Sequence, residues 1–528
     1  MKYKEALVCH VHDLHDGEMK QVTVDGTDIL LVRLDGKFYA TSAYCTHYGA
    51  PLAEGVLCGQ RVVCPWHQAC FNVSSGEVEE PPALDNLLRF QVRVEGDQVF
   101  VRIPEQATDR AVPVMAKHRP EVDGRTFVIV GAGAAGLAAA ETLRHEGFEG
   151  RLIMITRESQ VPYDRPNLSK GFITGTIPEE WMPLRTWEFF KAHDIELWTG
   201  KEVIRIDALG LGIYFKDGTH LAADELLVAT GGRPRRLQVE GSTLPGIYTL
   251  RTYADALNIR AALEQAEQVV VIGASFIGME SAASMRAKGH TVIVVAPEQV
   301  PFERAFGSEV GKVFLQMHQE QGVRFQLGHT VKRFIGDEKV SGVELDDGTV
   351  IPADVVLVGI GVEPVTDIIE GVPLHEDGSI PVNACLCTGK GLFAAGDIAR
   401  FPDWRTGFSM RIEHWRVAMQ QGRIAARNML GIQDKFTTVP FFWTRQFEVS
   451  LQYVGFVSKW DEVIIHGQTM ERSFIAYYVK KGKILAAAGM GKAQEMAAIE
   501  ELMRLNQLPD LETLRAGEVN PVELLACT

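Results

Sequence analysis

Cysteine is scarce in this sequence. Eight are spread over 528 residues, too few and too scattered for a disulfide framework, so the chain reads as a protein of a reducing compartment. Long apolar runs are missing as well. None reaches the roughly 20 residues that a membrane-spanning helix needs, and the opening stretch MKYKEALVCHVHDLHDGEMKQV has no apolar core behind its charges. The expectation is a cytoplasmic protein with no membrane span. Positive charge is in deficit, since 53 Lys and Arg face 68 Asp and Glu for a net charge of −15. Binding a nucleic-acid backbone needs a basic face, so this balance argues against nucleic acid as the main partner. What remains is an ordinary globular composition, 46% hydrophobic and 23% charged, over a length that predicts several domains, each with its own core.

Three of the few cysteines stand in the stretch around which the rest is organised, and two of them are paired with histidines. CTHYGAPLAEGVLCGQRVVCPWH, residues 45 to 67, sets Cys45-x-His47 before Cys64-x-x-His67. Two short loops can then each present one thiolate and one imidazole. That is the ligand set of a Rieske [2Fe–2S] centre, in which one iron takes two Cys and the other two His. The competing readings are a structural zinc site, or buried Cys and His that bind nothing. Zinc favours C-x-x-C and H-x(3–5)-H groupings, and four unconnected residues rarely fall into this double pattern. Alternating apolar residues in GEVEEPPALDNLLRFQVRVEGDQVFVRI, with turns such as Asp25-Gly26 and Asp35-Gly36, predict an all-β domain over residues 1–104. His10, His12 and His15 crowd its first strand, and a solvated edge is favoured there over a second metal site. Residues 105–124 mix Pro and charge without periodicity and read as an interdomain linker.

TFVIVGAGAAGLAAAETLRHEG follows, an apolar run that leads through Gly131-x-Gly133-x-x-Gly136 into an Ala-rich helix pattern. The glycines permit a tight turn, close approach of the backbone to a pyrophosphate, and helix–strand packing, while the helix N-terminus offers free N–H groups. A second strand, RLIMITRE, ends at Glu158, where an acid can meet a ribose hydroxyl. The unit then recurs in QVVVIGASFIGMESAASMRAKGHTVIVVAPE with Gly273, Ser275 and Gly278, so two dinucleotides are implied. Glu298 closes the second unit. Residues 295–300 hold no Arg or Lys to pair with a 2′-phosphate, which favours NADH over NADPH. LLVATGGRPRRL and GLFAAGDIARF are apolar strands running into small-residue turns, backbone that can pass close to a ligand.

Set at these distances, the two units and two turns resemble the two-dinucleotide flavoprotein fold of glutathione reductase type. The resemblance implies FAD at the first unit and NAD(H) at the second. An FAD-binding domain of 125–245 and 366–436 would enclose an NAD-binding domain of 246–365. Residues 437–528 read as a small α+β C-terminal domain, with a dimerisation unit as the alternative. Disulfide reductases of this fold carry a redox Cys pair beside the flavin, yet residues 131–172 contain no Cys. Cys385-x-Cys387 lies in strand-like sequence and reads as two buried small side chains.

Four pieces narrow the resemblance: PYDRPNLSKGF (162–172), the second fingerprint with GMES, RIEHWRVAMQQGRIAARNMLG (411–431), and FFWT. They resemble the Rieske-bearing branch of apoptosis-inducing-factor-like oxidoreductases and, more widely, the oxygenase-coupled ferredoxin reductases. By that likeness Arg165, Lys170, Arg235, Asp397, His414, Trp415 and Trp443 contact FAD, and Glu298, Gly361 and Glu413 line the NAD site. Lys170 would pair with Glu280 beside the flavin in an electrostatic role, a purely structural ion pair being the alternative. Two positions depart from the pattern. Arg157 stands where animal members show an acid, and Asn167 replaces the second proline of R-P-P-L-S-K. Ala50 and Trp66 occupy the places of a loop-bridging disulfide found in some high-potential Rieske proteins, so the centre resembles the ferredoxin type.

Electron counting closes the reading. NADH gives two electrons as hydride, a Rieske cluster takes one at a time, and a flavin can do both. The expected activity is that of an FAD-dependent NAD(P)H oxidoreductase of ferredoxin–NAD reductase type. It would pass single electrons to its fused cluster and on to an external acceptor, an oxygenase, cytochrome or other redox protein, with Trp415 and Trp443 as candidates for the internal route. A redox-sensing NADH/FAD switch with little turnover, and a reductase of quinones or other small acceptors, remain open, as does a homodimer.

Overall fold

In the computed structural model, which describes residues 3–104, 108, 110–517 and 519–526, the alternating N-terminal sequence forms two antiparallel sheets. The larger runs in the order Tyr3–His10, Gln98–Pro104, Arg89–Glu95, Lys37–Ser42, Thr27–Leu34 and Met19–Val24. Its hairpins turn at Asp25-Gly26 and Asp35-Gly36, both pairs in the left-handed region, as tight two-residue turns require. The smaller sheet, Val56–Cys58, Arg61–Val63, Cys70–Asn72 and Val78–Glu80, carries the Cys64–His67 loop between its second and third strands.

The stretch expected as a linker lies partly outside the described residues, and the rest is pinned at several points. Arg110–Ala111 pairs with Asn86–Leu87, and the N–H groups of Ala116 and Arg119 donate to the carbonyls of Arg144 and Glu149.

Beyond it, apolar strands form a parallel sheet in the order Ile195–Trp198, Arg151–Ile155, Thr126–Val130, Glu225–Val228 and Leu392–Ala394, with Cys387–Gly389 antiparallel at the edge. The strands are buried on both faces, which is why they read as continuous Val, Ile and Leu runs. Helix Ala134–His145 packs on this sheet against helix Trp415–Met429. The two approach so closely that a methyl built on Gly422 would lie 2.1 Å from the Ala135 carbonyl oxygen. A second parallel sheet runs Ile247–Tyr248, Val355–Val358, Gln268–Ile272, Thr291–Ala296 and Arg324–Leu327. The C-terminal part is a five-stranded antiparallel sheet, from Phe441–Gln446 to Lys483–Met490, covered by helix Ala493–Leu505. Among the described residues no helix is long and apolar enough to cross a membrane.

Two cores cross between these parts. Phe306 and Phe314 pack in one cluster with Tyr453 and Tyr478 of the C-terminal sheet. Val56, Val63 and Cys70 of the small N-terminal sheet pack with Ala497, Ala498 and Leu502 of the C-terminal helix. A buried Val or Leu side chain contributes about 1.5–3 kcal/mol, so the second cluster fixes the N-terminal domain against the body.

Candidate functional site

The loops carrying Cys45, His47, Cys64 and His67 meet at one end of the smaller sheet. The thiols of Cys45 and Cys64 are both buried and neighbour each other. The Nδ1 atoms of His47 and His67 face each other at 3.2 Å. Burial pushes His47 down to about 3 and His67 well below its ordinary value, so both rings are neutral, the form in which an imidazole ligates. Among the described residues, the only group of three or more such donor atoms within 4.8 Å of one another is His329, Asp346 and Asp347. The four loop residues therefore do not converge on one point, as they would around a single zinc ion. Cys against Cys and His against His suits two irons, one for each pair.

Aromatic rings enclose the histidines. Tyr48 stacks on His47 with centroids 4.0 Å apart, and Trp443 lies 4.4 Å from His67. The Tyr48 hydroxyl donates to the Asp164 carboxylate and accepts from Asn167 Nδ2 at 2.8 Å. The polar residue that breaks the R-P-P-L-S-K pattern is thus a contact to the cluster domain. Burial raises the Asp164 carboxyl above its ordinary value.

Trp443 also lines a cavity of about 820 Å³ between the two dinucleotide units. In the first unit, a methyl on Gly131 (φ +118°) would lie 2.1 Å from the Ala229 carbonyl oxygen, and one on Gly136 1.8 Å from that of Gly131. A methyl on Gly133 would meet nothing within 4 Å. Turn and helix packing thus require the outer glycines, and the middle one leaves open the space that a pyrophosphate needs. The second unit repeats this geometry. A methyl on Gly273 would lie 2.3 Å from the Gly359 carbonyl oxygen, and one on Gly278 2.1 Å from that of Gly273. Ser275, with no capping bond from its side chain, stands on the cavity wall.

Lys170 and Glu280 meet on that wall, with Nζ 2.9 Å from the carboxylate. Lys170 sits in an irregular turn at φ −108°, ψ −130°, and its ammonium also donates to the Pro166 carbonyl at 2.8 Å. Glu280 accepts from the Ser169 hydroxyl and, at 2.8 Å, from that of Thr444. Glu158 accepts from Arg165 at 2.8 Å and from the Tyr163 hydroxyl at 2.7 Å. Burial alone would push its carboxyl up, but Arg165 and Tyr163 hold it below its ordinary value. Asp397 accepts from Arg251 at 2.7 Å. Glu413 pairs with Arg411, and burial raises its carboxyl. His414 caps helix Trp415–Met429 and is pushed down to about 3, chiefly by burial. Gly361 and Trp415 complete the lining.

Arg235 and Glu298 stand apart from the lining. Arg235 donates to the Val362 carbonyl at 3.2 Å, and its neighbour Arg233 reaches the wall instead. Glu298 is paired at 2.8 Å with Arg304, a base beyond the window of residues 295–300. None of the cysteines among the described residues lines the cavity. Sequence reasoning missed Tyr48, Arg251, Thr444 and the buried residues that dock the cluster domain. Tyr48 and Thr444 were signalled only by membership of motifs already quoted, CTHYG and FFWT, and Arg251 by nothing in the sequence.

Three family descriptions match the chain: "Rieske [2Fe-2S] domain" over residues 4–95, "Pyridine nucleotide-disulphide oxidoreductase" over 125–422, and "Reductase C-terminal" over 441–522. Apoptosis-inducing factor 3 of Homo sapiens is 42% identical over 510 residues, covering 94% of this chain and 84% of that protein. Rhodocoxin reductase of Rhodococcus erythropolis is 34% identical, covering 72% and 89%. Among solved structures, the ferredoxin reductase for the CYP199A2 system from Rhodopseudomonas palustris is similar with a TM-score of 0.72 and 33% identity, covering 76% of this chain and all 100% of that one. The covalent putidaredoxin reductase–putidaredoxin complex gives 0.72 and 30%, covering 76% and 98%.

Proposed function

From a chain that belongs to the pyridine nucleotide-disulphide oxidoreductases and carries a Rieske [2Fe–2S] domain with ferredoxin-reductase-type FAD and NAD sites, we infer an NADH-dependent reductase that feeds its own cluster. The acceptor beyond the cluster is read as a redox protein of the oxygenase-linked kind, on the strength of relatives such as the ferredoxin–NAD(+) reductase component of an anthranilate 1,2-dioxygenase system. In this reading residues 1–104 are the cluster domain, 125–245 with 366–436 the FAD domain, 246–365 the NAD domain, and 437–528 the cap that joins them.

When bound, NADH supplies an electron pair as hydride, FAD exchanges electrons in pairs or singly, and the cluster exchanges them singly. Gly131 and Gly133 admit the FAD pyrophosphate to the helix N-terminus, and Ser275 stands at the equivalent place for NAD. Lys170, oriented by Glu280, keeps a positive charge at the cavity wall where negative charge develops on reduction. Ser169 and Thr444 hold the Glu280 carboxylate in place. Glu298, beyond the cavity wall and paired with Arg304, would meet the adenosine ribose of NADH only by sharing or leaving that pair. Cys45, Cys64, His47 and His67 hold the iron.

One observation carries the proposal: the Trp443 ring lines the dinucleotide cavity and lies 4.4 Å from the ring of His67. A single side chain spans the two sites. Anaerobic titration of the purified, iron-replete protein with NADH, followed by visible and EPR spectra, tests it. The expected result is loss of the flavin absorption together with appearance of a reduced Rieske signal. Bleached flavin with iron that stays ferric under excess NADH would refute internal transfer.

A further inference from the structure

The cluster loop Cys64–Gln68 is closed by its own backbone, with Gln68 N–H donating to the Cys64 carbonyl at 3.1 Å and Cys64 N–H to the Ala69 carbonyl at 2.9 Å, and it is clamped from outside as well. Gln68 is a non-glycine residue at φ +55° with no exposed surface, a strained backbone state that persists only where surroundings impose it. Those surroundings belong to the reductase body. Gln452 Nε2 donates to the carbonyls of Pro65 and Trp66 at 2.7 and 2.8 Å. Arg416 donates from Nη2 to the Gln68 carbonyl at 3.0 Å and from Nε to the Pro81 carbonyl at 2.8 Å.

Arg416 is the more telling of the two. It follows Trp415 of the cavity wall at the start of its helix, its side chain is 1% exposed, and it brings its charge onto the carbonyl of Gln68, the residue after the ligand His67. Its counterion is Glu500 of the C-terminal helix, 7% exposed, at 2.6 Å. One buried guanidinium therefore ties the Cys64–Gln68 loop and the Pro81 segment to the flavin side of the molecule.

We propose that Arg416 is a positioning residue for internal electron transfer: it fixes the Cys64–Gln68 cluster loop against the flavin domain and, as a buried positive charge, sets the cluster's reduction potential above the value the loops alone would give, with Glu500 moderating it. Reduction adds negative charge at the cluster, so a nearby cation favours the reduced form and a nearby anion opposes it. The inference rests on the cluster assignment but not on the direction of electron flow from NADH.

Its test is mediator-controlled reduction of the full chain, loaded with flavin and cluster, with the cluster midpoint read by EPR. Working at pH 8 keeps Glu500 ionised, since burial pushes its carboxyl up to about 7. Arg416→Gln should shift the midpoint down, Glu500→Gln should shift it up, and Arg416→Lys should restore most of the parent value. A residue that only supports the fold would move both glutamine variants the same way or neither. Glu500→Gln keeps shape and packing, so it carries the test if Arg416→Gln fails to load its cluster. Equal midpoints for Glu500→Gln and the parent chain, or shifts of the same sign in both variants, would overturn the proposal. Because NADH is absent, that failure is distinct from a failure of the NADH titration.

Discussion

Trp443 and the Lys170–Glu280 pair carry separate steps, and each can be tested on its own. Trp443→Leu removes the ring between His67 and the cavity and should slow passage from reduced flavin to cluster at least tenfold in stopped flow. An unchanged rate would remove Trp443 from the route. Glu280→Gln leaves Lys170 without its counterion at 2.9 Å and should slow flavin reduction by NADH by roughly 10- to 100-fold, less than the roughly 100- to 1000-fold of a lost transition-state donor because Glu280 acts through Lys170. If the pair is only structural, the melting temperature will fall while that rate constant holds. At this scale the four cluster ligands were legible because their spacing is local. Arg416, Gln452 and Tyr48 were not, because each acts on a residue far away in the chain: Gln452 and Pro65 are 387 positions apart. Asn167 stood out as a departure from a pattern, but its reason, the Tyr48 hydroxyl, lies in another domain.

Elements were easier to read than contacts. Both glycine fingerprints stand between a strand and a helix, since each strand is an unbroken apolar run and each turn needs the backbone freedom of Gly131 or Gly273. The two-residue strand Arg110–Ala111 was illegible, being too short to show periodicity. The long helix Glu303–Glu320 carries a consequence for acid stability. His318 is fully buried on it, bonded to Gln446 at 2.7 Å, and burial pushes it down to about 4. An unfolded histidine titrates near 6.5, so as pH falls the unfolded chain takes up this proton first. Stability from the neutral ring is complete above about pH 6.5 and is lost progressively as pH falls toward 4, by about 3 kcal/mol in all. Melting temperatures between pH 7 and 4.5 should therefore fall less steeply in His318→Gln than in the parent chain. Parallel curves would show that the ring does not stay neutral.

For the whole molecule, the open question in the sequence was whether the cluster domain swings on its linker or docks. Composition of the linker did not decide between them. Docking is instead written in residues outside it: the shared core of Val56, Val63 and Cys70 with Ala497, Ala498 and Leu502, the buried pair of Arg416 and Glu500, and Arg185 bridging Asp85 to Glu141. A domain held by a common core and buried charges needs no diffusion to meet its flavin. The central claim is that electrons cross within one chain, and a single-turnover stopped-flow experiment tests it most directly. Flavin is reduced with one equivalent of NADH, and cluster reduction is timed over a hundredfold range of protein concentration. The account predicts one first-order rate constant throughout that range. A rate that rises in proportion to protein concentration would contradict it.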